Sequence, residues 1–227
     1  MINPAVKDKF QAVTRHPAFQ ELLRRQRGET ATRTRLSGLN LTAKALHLIL
    51  LWEQLEQPIL VVTASNRAAE QLVELLDAFH ALLLAGAGAP KPLLLPAFDA
   101  LPGQGISPHT EIKAQRAVGL YRMAAARPSI VVAAVGAATL RCESADFYRQ
   151  LAVTVRKDEE IGLEDLAAHL DSVGYQRREP VQMEGEYSIR GGIFDVFPAE
   201  SHQPVRIEFF GDTVESLRRF DPQSQRS

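Results

Sequence analysis

The stretch "SGLNLTAKAL", Ser37–Leu46, stands where a nucleotide-binding fold would carry its phosphate loop. Such a loop reads G-x-x-x-x-G-K-[ST]. The second glycine lets backbone N–H groups close around phosphate oxygens, and the Ser/Thr hydroxyl ligates the magnesium ion. Gly38 and Lys44 fall at that spacing, but Ala43 and Ala45 occupy the positions of the second glycine and the hydroxyl residue. Thr42 precedes the lysine and points elsewhere on the first helical turn, so it does not substitute. No apolar strand ends in an Asp-Glu pair, and Asp99 in "LLLPAFDALP" follows its strand by a proline-containing turn. The stretch therefore reads as the remains of a phosphate loop, with Gly38 and Lys44 its vestigial residues.

The flanking pattern supports a nucleotide-type fold. Upstream, Val6, Phe10, Val13, Phe19, Leu22 and Leu23 recur at helical spacing from Pro4 to Arg27, and Gly28 after "RRQR" is placed to take a left-handed cap. "TRLSG" reads as a short strand and Thr42–Leu55 as a helix. Downstream, "PILVVTAS", "LLLPAF" and "PSIVVAAV" are apolar strands, alternating with helices that carry Ala68, Leu72, Leu75, Leu76 and Phe79, and then Glu111–Met123. Apolar strands alternating with helices predict a parallel sheet covered on both faces. Near Leu140 the pattern changes. A helix "GLEDLAAHLDSVG", stopped by Gly174, precedes strands in "REPVQMEGEYSIRGGIFDVFP" and "PVRIEFFGDTVESLRRFD", the last two joined at Gly211-Asp212 as a two-residue hairpin. The expected fold class is α/β, with a parallel-sheet lobe over 1–140 followed by a smaller α+β module over 141–227. "RRFDPQSQRS" stops straight after a strand, which raises the expectation of a piece of something longer.

Composition excludes several function classes. The chain has 227 residues, is 45% hydrophobic and 23% charged, and carries a formal net charge of -1, which argues against nonspecific nucleic-acid binding by the whole surface. Cys142 is the sole cysteine, so no intramolecular disulfide forms. The N-terminus lacks a signal-peptide pattern and the apolar runs are too short to span a bilayer, so a soluble cytoplasmic protein with no membrane partner is expected. His109-Thr110-Glu111 mimics the H-x-E of zinc deaminases without the P-C-x-x-C that completes that site, and reads as a helix N-terminal turn. Ser65 in "TASNRAAEQL" reads as an N-cap rather than a nucleophile. No histidine pairs with Cys142 as a ligand set, so no metal site is expected.

Four strings carry a family resemblance: "LLLPAFDALPGQGISPHTEIKAQRAVGLYRM", "VVAAVGAATLR", "LDSVGYQRREPVQMEGEYSIRGGIFDVFPAE" and "VRIEFFGDTVESLRRFDPQSQR". Together they resemble the N-terminal part of the bacterial transcription-repair coupling factor family, Mfd, itself similar to the excision-repair protein UvrB. The long string "GEYSIRGGIFDVFPAE", Gly185–Glu200, is the most specific. The resemblance implies a first lobe like the first domain of UvrB without its phosphate loop or its tyrosine-bearing damage hairpin, and an α+β module that binds UvrA. It also implies that the ATP- and magnesium-dependent DNA translocase and the RNA polymerase-binding module of the full protein lie beyond Ser227. The chain itself is then expected to need no cofactor and to catalyse nothing. In the full protein this region is expected to fold back on the C-terminal part. The alternative reading is a UvrB-like ATPase or damaged-DNA-binding lobe.

A docking sheet should offer arginines, whose planar fork matches carboxylates, and an aromatic anchor. Arg177, Arg178, Arg190, Phe194 and Arg206 lie in or beside the strands that most resemble the family's UvrA-binding surface, and Arg190 in "YSIRGG" matches the family's arginine before glycine. Alternation leaves a competing core assignment open for Phe194. Glu208 and Arg206 share a strand face and are candidates for in-sheet pairing with Arg218. Gly191 and Gly192 are placed to serve a bulge or a close backbone approach.

Overall fold

The computed structural model describes residues 4–28, 33–85, 88–100, 108–126, 128–199 and 201–226. The chain divides into two compact units, Met1–Ile112 with Arg122–Cys142, and Lys113–Tyr121 with Glu143–Ser227.

In the first unit, α1 (Pro4–Gln11), a single 3-10 turn and α2 (Pro17–Gln26) replace the one long helix that the periodicity predicts. Pro17 has no N–H to donate and forces His16 into extended backbone, so the helix breaks and restarts with proline in its first turn. Gly28 is not left-handed: α2 closes on Arg27 in an ordinary right-handed conformation. Thr34–Gly38 forms no strand, and Gly38, at φ +82°, is a turn residue.

The helix α3 (Leu41–Leu55), β1 (Ile59–Thr63), α4 (Asn66–Leu83), β2 (Leu93–Leu95), α5 (Thr110–Ala125), whose middle, Lys113–Tyr121, groups with the second unit, β3 (Ile130–Ala134) and the one-turn α6 (Val135–Ala138) continue the alternation along the chain. The three strands are parallel in the order β1-β3-β2. Central β3 is buried along its whole length. Edge strand β1 alternates instead, with Leu60 and Val62 exposed, so the expectation of cover on both faces fails at this edge. Ile49, Leu50, Leu72, Leu76 and Leu83 from α3 and α4 bury against Ile130 and Val132, with Phe19 and Leu23 of α2 closing the cluster. Ser65 caps α4 by accepting from the Ala68 N–H, as its sequence context predicts. The segment Leu101–Ser107, where the missing damage hairpin is expected, lies outside the described residues.

The second unit contains α7 (Ala145–Gln150), α8 (Leu163–Ser172), β4 (Gln176–Arg177), β5 (Glu186–Arg190), β6 (Ile193–Val196), β7 (Val205–Phe210) and β8 (Thr213–Arg219). Its sheet runs in sequence order, with β4 parallel to β5 and every other pair antiparallel. Gly174, at φ +94°, follows α8 as the predicted stop. The predicted Gly211-Asp212 hairpin joins β7 to β8, with Phe210 paired to Thr213 and Gly211 at φ +60°. One face of this sheet, built from Tyr187, Phe194, Ile207, Phe209 and Val214, packs on Leu166, Ala167 and Leu170 of α8. No helix among the described residues is long and apolar enough to cross a membrane.

Candidate functional site

Two places in the chain carry chemistry worth building from their residues. The first is the entry to α3. Asn40 is its N-cap, and the Asn40 Oδ1 accepts from the Ala43 N–H at 2.8 Å while its carbonyl accepts from the Lys44 N–H. The side chain thus fills the place where an anion would meet the first-turn amides. Lys44 is exposed on that turn. Among the described residues no cluster of His, Cys, Asp or Glu is arranged to hold a metal ion.

The second place is the polar face of the second sheet. A strand's side chains alternate between faces, so the partners of the apolar set define the other side. The register aligns Ser188, Asp195, Arg206 and Arg218 in one cross-strand row and Arg190, Ile193, Glu208 and Ser216 in the next. Asp195 sits at the centre and is 1% exposed. Arg206 grips it with two bonds, Nε to Oδ1 at 2.7 Å and Nη2 to Oδ2 at 2.8 Å, and Arg190 adds a third from Nη2 to Oδ2 at 2.8 Å. A carboxylate removed from water needs this compensation, because burying an unpaired charge costs several kcal/mol. The hydrogen bonds to Asp195 in turn hold the proton on the Arg206 guanidinium more tightly than usual.

The two arginines are not equivalent. The Arg206 side chain is 16% exposed, lies over the Phe220 ring at 4.7 Å and reaches the Gln225 carbonyl. It is a fastening for the segment after β8, which Gln225 ties to the Val181 carbonyl. The Arg190 side chain is 44% exposed, and among the described residues its Nε has only the exposed Glu179 carboxylate, at 3.8 Å. Arg190 is thus the guanidinium of this face that is both anchored from below and open to a partner. Glu208 accepts from the Ser216 hydroxyl and pairs with Arg218, and these contacts lower its carboxyl below the usual range. The expected pairing of Glu208 with Arg218 is present, while Arg206 turns to Asp195 instead.

Phe194 is a correction. It is fully buried, stacks on Tyr187 with ring centroids 5.4 Å apart and joins the α8 core, so it offers no surface to a partner. Alternation decides this: Phe194 pairs with Ile189 and Ile207 on the apolar face. Arg177 and Arg178 are both exposed at the β4 edge, where Arg177 is in register with Tyr187 and the Arg178 N–H donates to the Tyr187 carbonyl. Gly191, at φ +60°, makes the β5–β6 turn, and a Cβ on Gly192 would stand 2.8 Å from the Phe209 carbonyl oxygen. Asp195 and Glu179 went unread in the sequence. The alternation in "IFDVF" carries a signal for Asp195, because it sets an acid on the face opposite Phe194 and Val196.

A family model described as "UvrB interaction domain" matches residues 153–227, the part of the chain that contains α8 and the second sheet. Curated proteins named transcription-repair-coupling factor match nearly the whole chain. The one from Myxococcus xanthus is 36% identical over 199 residues, 86% of this chain and 16% of its own length. The one from Mycobacterium bovis is 31% identical over 219 residues, 93% of this chain and 17% of its own. The chain belongs to the UvrB-like region of the transcription-repair-coupling factor family. UvrABC system protein B of Thermosipho africanus is also similar, 31% identical over 96 residues, 42% of this chain and 14% of that protein. The chain therefore spans about one sixth of the length of the coupling factors it matches. Within this family region, the anchored and open Arg190 lies inside the span of the interaction-domain match.

Proposed function

We propose that this chain is a docking segment of a transcription-repair coupling factor, recruiting UvrA through the polar face of its second sheet and performing no chemistry of its own. One observation carries the reading: Arg190, inside the matched interaction domain, is held by a buried carboxylate while its outer edge faces solvent. A preorganised guanidinium loses little freedom on binding and pairs with a carboxylate in a fixed geometry. Arg178, exposed at the β4 edge beside Tyr187, adds positive charge to the same sheet. Arg206 supports it from within.

Under this reading the first unit is a lobe related to the first domain of UvrB, and Ser37–Leu46 is a phosphate loop that has lost its ligand. Support comes from the alanines at 43 and 45 and from Asn40, whose side chain already satisfies the turn. ATP and magnesium, DNA and RNA polymerase then belong to other parts of the full-length protein, one of which this region contacts internally.

The test is a titration of the 227-residue chain against purified UvrA, for wild type and Arg190→Ala, with circular dichroism to confirm folding. Wild type should bind at micromolar concentration or tighter, and the variant should lose about 2 kcal/mol, roughly thirtyfold. Absence of wild-type binding would overturn the proposal.

A further inference from the structure

The polar face carries an exposed aromatic ring, and it is not that of Phe194. Phe210 ends β7 at 76% exposure, the most exposed large apolar side chain among the described residues. Its position follows from the pleat. Ile207 and Phe209 enter the α8 core, so Arg206, Glu208 and Phe210 share the opposite face. The irregularity in the β7–β8 ladder does not change this, because Glu208 pairs with Ser216 and Phe209 with Val214, which puts the extra residue in β8.

The neighbours explain why the ring stays bare. The Phe209 N–H donates to the Gly192 carbonyl at 2.8 Å, which brings the Gly191-Gly192 turn alongside the end of β7. Neither glycine has a side chain to lie on the ring. Gly192 cannot gain one without moving the Phe209 carbonyl. The residue preceding this glycine pair is Arg190, in register with Ile193, which is in register with Glu208. Arg190, half-buried Ile193 and Phe210 therefore lie within one end of one sheet face.

We infer that Phe210 is the desolvating anchor of the UvrA-docking surface, seated in an apolar pocket of the partner whose rim carries the carboxylate that pairs with Arg190. The inference rests on the docking reading above and deepens it. The chemistry of the face selects this occupant. Arg218 is paired with Glu208 within the sheet, whereas the single charge of Asp195 is shared between Arg206 and Arg190, and the outer edge of Arg190 has a 3.8 Å contact to exposed Glu179, so outward positive charge lies at the same end of the face as the ring. An exposed aromatic and an exposed guanidinium at one end of a face have the composition of an interface hot spot: the ring supplies buried area, and water exclusion strengthens a nearby ion pair. A membrane or nucleic acid fits less well, because both require a field of cations and this chain has a net charge of -1.

The experiment is a titration of the whole chain against purified UvrA for wild type, Arg190→Ala, Phe210→Ala and Phe210→Trp, at low and high salt, with thermal midpoints recorded. Phe210→Ala is expected to weaken binding at least tenfold with an unchanged midpoint, and Phe210→Trp to stay within threefold of wild type. Raising salt should shrink the Arg190→Ala effect and leave the Phe210→Ala effect standing, since exposed charge is screened and apolar burial is not. Phe210→Ala binding within twofold of wild type, while Arg190→Ala is impaired, overturns the anchor and leaves the docking reading intact. A fall in midpoint that accounts for the lost binding overturns it as well. If wild type does not bind, both fall together.

Discussion

The entry to α3 and the glycine-turn end of the second sheet are both places where a partner's charge could be met, and they are built in opposite ways. At α3 the amide that would hold an anion is already taken by Asn40. At the sheet end a buried carboxylate fixes Arg190, and the strand pleat leaves Phe210 bare. Binding capacity thus depends less on which residues are present than on whether local geometry has already satisfied them. At α3 the glycine and lysine at motif spacing flank a turn that already caps itself, whereas at the sheet end the inner side of Arg190 is paired and its outer edge faces solvent.

That contrast can be broken first at its scaffold. Phe194→Ala removes a fully buried ring from beneath the docking face and should cost about 4 kcal/mol in urea denaturation. Phe210→Ala, the same deletion sixteen residues on, should cost less than about 0.5 kcal/mol. Equal costs would mean that the face assignment of the strands is wrong. Asp195→Asn is next: it leaves two guanidinium groups facing a neutral amide and should cost about 3 kcal/mol of stability, with weaker UvrA binding on top. A neutral outcome would show that Arg190 is not held from below.

At the other region, Asn40→Ala should cost about 1 kcal/mol through loss of the cap, and added ATP should not raise the thermal midpoint of either form. An ATP-dependent rise in the variant alone would mean that the cap blocks a working site. The smallest effect concerns acid. The folded-state pKa of Glu208 is lowered, so its contribution is present above the ordinary carboxylate pKa and disappears as pH falls through the folded value. Glu21 behaves alike, held down to about 2 by hydrogen bonds from Arg24 and Arg25. Stability should therefore decline below about pH 4, and Glu208→Gln should flatten part of that slope. An unchanged slope would show the surface pair to be slack.

Much of this was legible beforehand. The apolar runs of β1, β2 and β3, the caps at Ser65 and Gly174 and the Gly211-Asp212 hairpin follow from local chemistry alone. The motif singles out Arg190, but not the Asp195 carboxylate that holds it. The break at His16-Pro17 was missed because helical periodicity continues across the proline. For Phe194 the family resemblance offers an interface role and the alternation a core role, and the structure decides for the core. Phe210 carries no motif of its own, and only the strand pleat, which sends adjacent Phe209 and Phe210 to opposite faces, sets it apart.

The sequence by itself determined the two kinds of sheet, since continuous and alternating apolar patterns suit different degrees of burial, and it determined that Ala43 and Ala45 stand where a phosphate loop would need a glycine and a hydroxyl. Only the tertiary structure decided which side chains reach solvent. Burial of Phe194, the three-bond hold on Asp195 and the bare ring of Phe210 all depend on register between strands that are distant in the chain, and no local spacing encodes that register.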